Sequence, residues 1–476
     1  MSDSAPVLCW FRRDLRLDDH LALAAAIKSG QPVIPVFIFD PNILKSERFS
    51  PARYQFMLNA LESMRSSLRK HQRDLLIRHG EPLQMLKDIV RETGATKLFF
   101  NVDYTPYARQ RDDQVISTVG IPVETCHDRL LAPPGTIEKN EGGPYVVYTP
   151  FKNKWRKQVK PDQSLDYKVS AATLYPVDNF KGDNVPTLKD LGYENPITVP
   201  EASETHAQRR LEDFMQSAIF DYKEARNRLG NPVNEPHTGT SFLSPYIRFG
   251  LLSLRYIYWR ARQAHDEAKS TAQRESVVAF MDEIVWHEFY THILWEFPQV
   301  KSDNFASKFD IVPWRDDEDA LQAWKEGKTG YPIVDAAMRQ LKGAGWMHNR
   351  ARMIVASFLT KDLLIHWRPG ELYFMQNLLD GDLAANNGGW QWAAGTGTDA
   401  QPYFRIFNPV SQSEKFDPDG AYIRYWVPEL RDVPDAFIHE PWKMDNPPAD
   451  YPAPIVDHGA ARERALAAFD VMKEKA

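Results

Sequence analysis

The chain is 476 residues long, 43% hydrophobic and 26% charged, with a formal net charge of −6. That composition excludes a disordered chain and, with no run near eighteen apolar residues, a membrane-spanning helix; the negative balance excludes a protein that coats nucleic acid over its whole surface. Two domains are expected at this length, and Met1 to Pro6 lacks the basic, apolar start of a secretory signal, so the expected address is the cytoplasm.

Short apolar runs rich in Val, Ile and Phe fall at Val7–Phe11, Val33–Asp40, Leu75–His79, Leu98–Asp103 and Val123–His127. Between them lie helical stretches such as Ala52–Lys70, where Phe56, Leu58, Leu61, Met64 and Leu68 recur with a helical period. The alternation predicts a Rossmann-like α/β domain with a five-stranded parallel sheet over residues 1–132. Cys9 and Cys126, the only cysteines, sit in these runs and are expected to be buried, reduced thiols. The turn after the first strand, Arg12-Arg13-Asp14-Leu15, has no phosphate-cradling glycines, which disfavours a nicotinamide dinucleotide or ATP site.

Residues 133–201 are rich in proline, glycine and polar side chains without a clear period, and are expected to form an interdomain linker. Amphipathic helical segments then dominate residues 202–476, which also hold eleven of the thirteen tryptophans. An all-α domain is expected there.

Four segments of that half could carry chemistry. Thr238-Gly-Thr240-Ser241-Phe-Leu-Ser244 places hydroxyls before a helix, where they cap it or bind a phosphate. Glu283, Trp286 and Tyr290 share one helix face, so a carboxylate lies beside an indole that can pack on a base. His287, Glu288 and His292 lie in the same helix, but a histidine spacing of five does not give two zinc ligands on one face, so no metal site is expected.

After the Gly343/Gly345 break, Asn349 and Met353 lie one turn apart, with Arg350 and Arg352 to either side. The run Arg339–Arg368 carries six basic residues against the single acid Asp362, which fits either a solvated face or an anionic partner. Finally, Gly381-Asp-Leu-Ala-Ala-Asn-Asn-Gly-Gly-Trp-Gln-Trp gathers a carboxylate, two amides and two indoles, a composition suited to a polar-edged aromatic ligand.

Together these segments resemble the photolyase/cryptochrome family. The likeness begins at Trp10-Phe-Arg-Arg-Asp-Leu-Arg-Leu and runs through Trp286-His-Glu-Phe-Tyr, Thr329-Gly-Tyr-Pro-Ile-Val-Asp and Gly345-Trp-Met-His-Asn-Arg to Arg405-Ile-Phe-Asn-Pro. It implies an antenna-bearing α/β domain followed by a helical domain that holds FAD, active as FADH−. On matching positions, Tyr222, Thr240, Ser241, Leu243 and Ser244 would bind the flavin phosphates; Arg352, Asp380 and Asp382 would hold its rings, with Asn386 beside N5. Trp390, Trp367 and Trp314 would relay electrons from the surface.

Within the family the chain is most similar to class I photolyases for cyclobutane pyrimidine dimers. That resemblance implies light-driven repair of DNA containing such dimers, by electron transfer to a flipped-out lesion. Glu283, Trp286, Asn349, Met353 and Trp392 would line the lesion pocket, and Arg226, His287, Tyr290, Arg350 and Gln412 would join in contacting DNA. The histidine pair expected of a (6-4) enzyme is missing at His348-Asn349 and Met353.

A histidine stands at 287 where an arginine is usual, and the loop from Asn227 to His237 looks longer than in relatives. Asp103-Tyr-Thr-Pro-Tyr-Ala-Arg resembles deazaflavin-binding relatives, so 8-hydroxy-5-deazaflavin is the expected antenna, with methenyltetrahydrofolate as the alternative and Arg53, Asp103 and Arg248 as contacts. The protein is expected to be a monomer. A cryptochrome-type blue-light receptor, or a flavin protein without a nucleic-acid role, is the competing function.

Overall fold

The structure is a computed structural model that describes residues 5–160, 169, 173–176, 182–229 and 239–470. Strands β1 (Val7–Phe11), β2 (Val33–Phe39), β3 (Leu76–His79), β4 (Leu98–Asn101) and β5 (Val123–Cys126) form one parallel sheet in the order β3-β2-β1-β4-β5. β1 and β2 are buried along their whole length. Both faces of a parallel sheet are covered, which is why these strands are apolar without alternation. Val7, Cys9 and Phe11 enter one core, while Leu8 and Trp10 enter another on the opposite face. β5, at the edge, leaves Glu124 and Thr125 exposed, and Cys126 is only half-buried where the apolar run predicts a buried thiol.

The expected helix runs from Pro51 to Arg69, started by the Ser50 hydroxyl accepting from Arg53 N–H. Its apolar stripe, including Phe56, Leu61 and Met64, lies in a core that continues without interruption into Val277, Phe280, Val285 and Phe289 of the helical domain. Charge pins the same seam. Asp128 accepts from Arg16 at 2.6 Å and from Arg255 at 2.7 Å, and Glu204 accepts the backbone N–H groups of Leu17 and Asp18.

The expected linker holds a helix, Tyr148–Gln158. Its buried Tyr148, Phe151 and Trp155 do follow a helical spacing, and Pro150 lies in the first turn, where a missing N–H costs nothing. It packs on the long helix Thr271–Glu296. Glu288, fully buried there, accepts from Trp155 Nε1 and from the backbone of Leu131 and Ala132, and His292 Nε2 donates to Ala132 O at 2.8 Å. Two of the three residues that looked like zinc ligands, Glu288 and His292, therefore fasten the connector to the helical domain, while His287 borders a cavity. Parts of the linker, residues 161–168, 170–172 and 177–181, lie outside the described residues.

The C-terminal half is helical throughout, with Gly345 ending the helix Pro332–Ala344 in the left-handed region at φ 62°. Among the described residues no helix is long and apolar enough to cross a membrane.

Burial pushes His292 down to about 4 and His348 down to about 3, the latter aided by Arg350, Arg352 and Arg226. Both are depressed below 6.5, so the unfolded chain takes up protons first and stability from these groups is lost as pH falls below 6.5. Glu204 and Glu288, pushed up to about 7 by burial, act in the opposite sense. Comparison with His348→Asn, which can keep the helix cap, isolates one contribution. In thermal melts the variant should gain on the wild type by up to about 1.4 kcal/mol for each pH unit below 6.5; an unchanging difference between pH 7.5 and 5 would contradict this.

Candidate active site

A cavity of about 550 Å³ lies within the helical domain. The long helix supplies Glu283, Trp286, His287 and Tyr290 to its wall; the helix Asn349–Ser357 supplies Asn349, Arg352 and Met353; the helix Leu383–Ala394 supplies Asn386, Gly389, Trp390 and Trp392. Tyr222, Arg226, Thr240, Ser241, Leu243, Ser244, Asp380 and Asp382 complete it. Every residue expected to hold the flavin, and every one expected to line the lesion pocket, borders this one space.

Backbone constraints explain several of these placements. Gly239 takes φ +86°, and a Cβ on it would come within 2.4 Å of Ala225 O. The helix that follows, Ser244–Arg248, is started by Leu243 without a side-chain cap. Thr240, Ser241 and Ser244 are thus not spent on capping. Thr238 and residues 230–237 of the long loop lie outside the described residues. At Gly388 a Cβ would lie 2.1 Å from Tyr290, so glycine is what lets the two helices touch; a Cβ on Gly389 would meet nothing within 4 Å.

The polar groups divide into paired and unpaired. Arg352 donates to Asp380 Oδ2 at 2.8 Å and to Met347 O at 2.8 Å, leaving Asp380 Oδ1 buried without a protein partner. Asp382 caps its helix by accepting from Ala384 and Ala385 N–H, and pairs with Arg13 of the α/β domain at 2.6 Å. Both its oxygens serve the protein. Burial favours its neutral form, but Arg13, His287 and Arg129 outweigh this and hold the carboxyl well below the usual range.

Asn386 Nδ2 donates to Glu371 O and to Glu371 Oε1, both at 3.0 Å, so its carbonyl oxygen is the atom left for the cavity. Glu371 is 1% exposed and burial raises its pKa, with Arg48 opposing at 3.2 Å. Sequence reasoning misses it; its signal is a lone acid in the apolar stretch Trp367-Arg-Pro-Gly-Glu-Leu-Tyr-Phe-Met.

Toward the outside, Glu283 is ion-paired with Arg226, whose guanidinium also lies 5.1 Å from the Tyr222 ring centre. Asn349 is exposed, while Trp286, Met353 and Trp392 are half-buried. Arg350 lies beyond the cavity, donating to Asn227 Oδ1 at 2.7 Å and covering Phe416 of the helix Pro409–Phe416, which also carries Gln412. Burial lowers the pKa of His287, and Arg129 and Arg13 add to this against Asp382. These influences favour its neutral ring.

The three tryptophans expected to relay electrons occupy adjoining positions. Trp390 lies so close to Gly370 that a Cβ there would fall 2.2 Å from its ring, and Trp367 starts the same helix one turn earlier. Trp367 is buried, with Nε1 donating to Asn304 Oδ1 at 2.8 Å. The His366 ring stands between it and half-buried Trp314, at centroid distances of 5.4 and 5.3 Å.

The antenna candidates are drawn into the domain seam. Asp103 pairs with Arg129 at 3.2 Å and Arg13 at 3.4 Å, and Arg53 donates to the carbonyls of Met375, Leu378 and Arg48. Arg248 donates to Gly381 O at 2.7 Å and borders the large cavity, with Nη1 buried and unpartnered.

Residues 7–170 match the family of DNA photolyase, and residues 280–471 match the FAD binding domain of DNA photolyase. A deoxyribodipyrimidine photo-lyase of Halobacterium salinarum is 43% identical over 97% of this chain and 98% of its own length. The crystal structure of a bacterial class III photolyase from Agrobacterium tumefaciens superposes with a TM-score of 0.88 at 38% identity, covering 100% of this chain and 99% of that one. A Synechocystis cryptochrome gives 0.87 at 28% identity over 98% of this chain and 100% of its own. The chain belongs to the DNA photolyase family.

FAD fits the cavity. Gly389 leaves its wall open where a larger side chain would intrude, Asp380 Oδ1 and Arg248 Nη1 supply a buried acceptor and a buried donor without protein partners, and the Thr240 and Ser241 hydroxyls, which cap no helix, border the same space. Two adjacent glycines should therefore fail differently. Gly389→Leu should purify without flavin, with the melting temperature of the flavin-free wild type. Gly388→Ala should lose about 1–3 kcal/mol of stability through overpacking against Tyr290, with or without flavin. Flavin content by absorbance and melts of both forms decide; flavin retained by Gly389→Leu would show that the cofactor lies elsewhere.

Proposed function

We propose that this protein repairs cyclobutane pyrimidine dimers in DNA, using light and reduced FAD. The observation that carries this is that the residues expected to hold the flavin and Glu283, Trp286, Asn349, Met353 and Trp392 border one cavity, which supports a reading in which a ligand held by the second set lies against one held by the first. Its relatives bear the name deoxyribodipyrimidine photo-lyase.

A fused pyrimidine pair inside a duplex cannot reach such a cavity, so the lesion leaves the stack, as it does in photolyases generally, at a cost of a few kcal/mol that is smallest for damaged bases. Trp286 and Trp392 offer flat apolar surfaces to the extruded pair, and Met353 fills the space beside them. Glu283 and Asn349 hydrogen-bond its base edges. Bound reduced FAD supplies, on illumination, the electron that opens the cyclobutane ring and accepts it back. The Arg226 pair holds the Glu283 carboxylate in place to accept from a base N–H, and the guanidinium of that pair offsets negative charge gathered on the dimer. Arg226, Arg350 and Gln412 hold the DNA backbone.

Trp390, Trp367 and Trp314 form the route by which the flavin is reduced from the surface. The reading needs no second subunit at the cavity, and the enzyme is proposed to act as a monomer in the cytoplasm. An antenna, 8-hydroxy-5-deazaflavin or methenyltetrahydrofolate, completes the proposal; a fluorescence excitation spectrum of the purified protein identifies it.

Reduced protein under blue light should restore pyrimidines in a dimer-containing oligonucleotide, and a dark control should not. Bound reduced FAD without restoration in light would favour a receptor. Glu283→Ala should cut repair by about tenfold, the loss of one charged hydrogen bond, at unchanged flavin content.

DNA affinity should fall with added salt, and Arg350→Ala should lower the log–log slope by about one. His287→Gln should leave that slope unchanged above pH 7, because burial and the nearby Arg129 and Arg13 disfavour a charged ring. A reduced slope in that variant would assign His287 a phosphate contact after all.

A further inference from the structure

Tyr148, the first residue of the connector helix, lies face to face on Trp286, with ring centroids 3.5 Å apart and planes 7° from parallel. Trp286 borders the cavity, so its indole stands between Tyr148 and the space assigned to the lesion. Tyr148 is itself fixed: its N–H donates to Asp399 Oδ2 at 3.0 Å and its hydroxyl to Asp282 O at 2.9 Å. Thr398 Oγ1 donates to Val146 O at 2.5 Å, so the connector and the loop after Trp392 grip each other behind the indole. Phe289 meets both rings edge-on, at 5.8 and 5.7 Å, and Tyr290 leans on Trp286 at 5.5 Å.

We propose that Tyr148 is a positioning residue for lesion recognition, which holds Trp286 in the plane that receives the extruded pyrimidine dimer. The inference rests on the reading above that Trp286 packs on the dimer. An indole bordering an open cavity would sample other rotamers and have to be ordered by the ligand, a cost equivalent to roughly 2- to 12-fold in affinity. Clamped from behind, it is ordered before DNA arrives. The connector thereby makes a segment between the two domains part of the lesion pocket without touching the lesion.

The test uses full-length, flavin-loaded protein titrated in the dark with a dimer-containing oligonucleotide and with its undamaged counterpart. Tyr148→Leu, which keeps apolar volume but removes the stack, should raise Kd for damaged DNA roughly 3- to 10-fold. Undamaged-DNA affinity, flavin content and repair at saturating DNA should stay as in the wild type, and Tyr148→Phe should restore damaged-DNA affinity. In a Trp286→Ala background Tyr148→Leu should add nothing, because the two act as one unit.

Equal Kd values for wild type and Tyr148→Leu, an equal loss on undamaged DNA, or additive losses with Trp286→Ala would each overturn the proposal. If Tyr148→Leu does not fold, Tyr148→Met is judged by the same criteria. Should Trp286→Ala bind damaged DNA as tightly as the wild type, the pocket reading itself fails; a loss there with none in Tyr148→Leu overturns only the role of Tyr148.

Discussion

The close approach of the helix Leu383–Ala394 to the long helix Thr271–Glu296 governs what the cavity can contain. Gly388 sets that approach, since Tyr290 occupies the place a side chain would need. With the backbones this near, Asn386, Trp390 and Trp392 face the same space as Glu283 and Trp286. Gly389 on the same helix leaves that space clear. A side chain at Gly388 would strike Tyr290, whereas one at Gly389 would enter the open space of the cavity.

The α/β domain also shapes this region. Arg13 pairs with Asp382, and Arg53 holds the carbonyls of Met375 and Leu378, just ahead of Asp380. A charge buried this deeply is tolerated only when its lone pairs and protons are satisfied. Asp382 meets that condition by capping a helix with one oxygen and meeting a guanidinium from the other domain with the second. The conformation of the loop around Asp380 and Asp382 therefore depends on contacts from the α/β domain. Glu371 plays the corresponding part for Asn386, orienting its amide from behind.

The parallel sheet is legible in the sequence because buried strands are written as unbroken apolar runs, and the observed boundaries of β1 coincide with its run at Val7–Phe11. Edges are harder: Val123–Cys126 reads as apolar yet leaves Glu124 exposed, because burial at a sheet edge depends on what covers it. The connector helix is hidden by proline and lysine around the periodic Tyr148, Phe151 and Trp155. Site residues carried by motifs can be found, since the family resemblance fixes their positions. Partners joined only through the tertiary fold cannot: nothing local links Glu371 to Asn386, Arg13 to Asp382 or Tyr148 to Trp286. The same limit applies to Arg53 and Arg248, whose charge marks them as ligand contacts while their hydrogen bonds go to backbone carbonyls at the domain seam.

The central claim is proximity: a dimer in the pocket bordered by Trp286 and Trp392 lies against the reduced flavin. The fluorescence lifetime of the reduced flavin in this protein, recorded with saturating damaged or undamaged oligonucleotide, measures it directly. Electron transfer to a neighbouring dimer should shorten the lifetime with damaged DNA alone and return it to the starting value once repair is complete. A lifetime unchanged by a bound dimer would contradict the account.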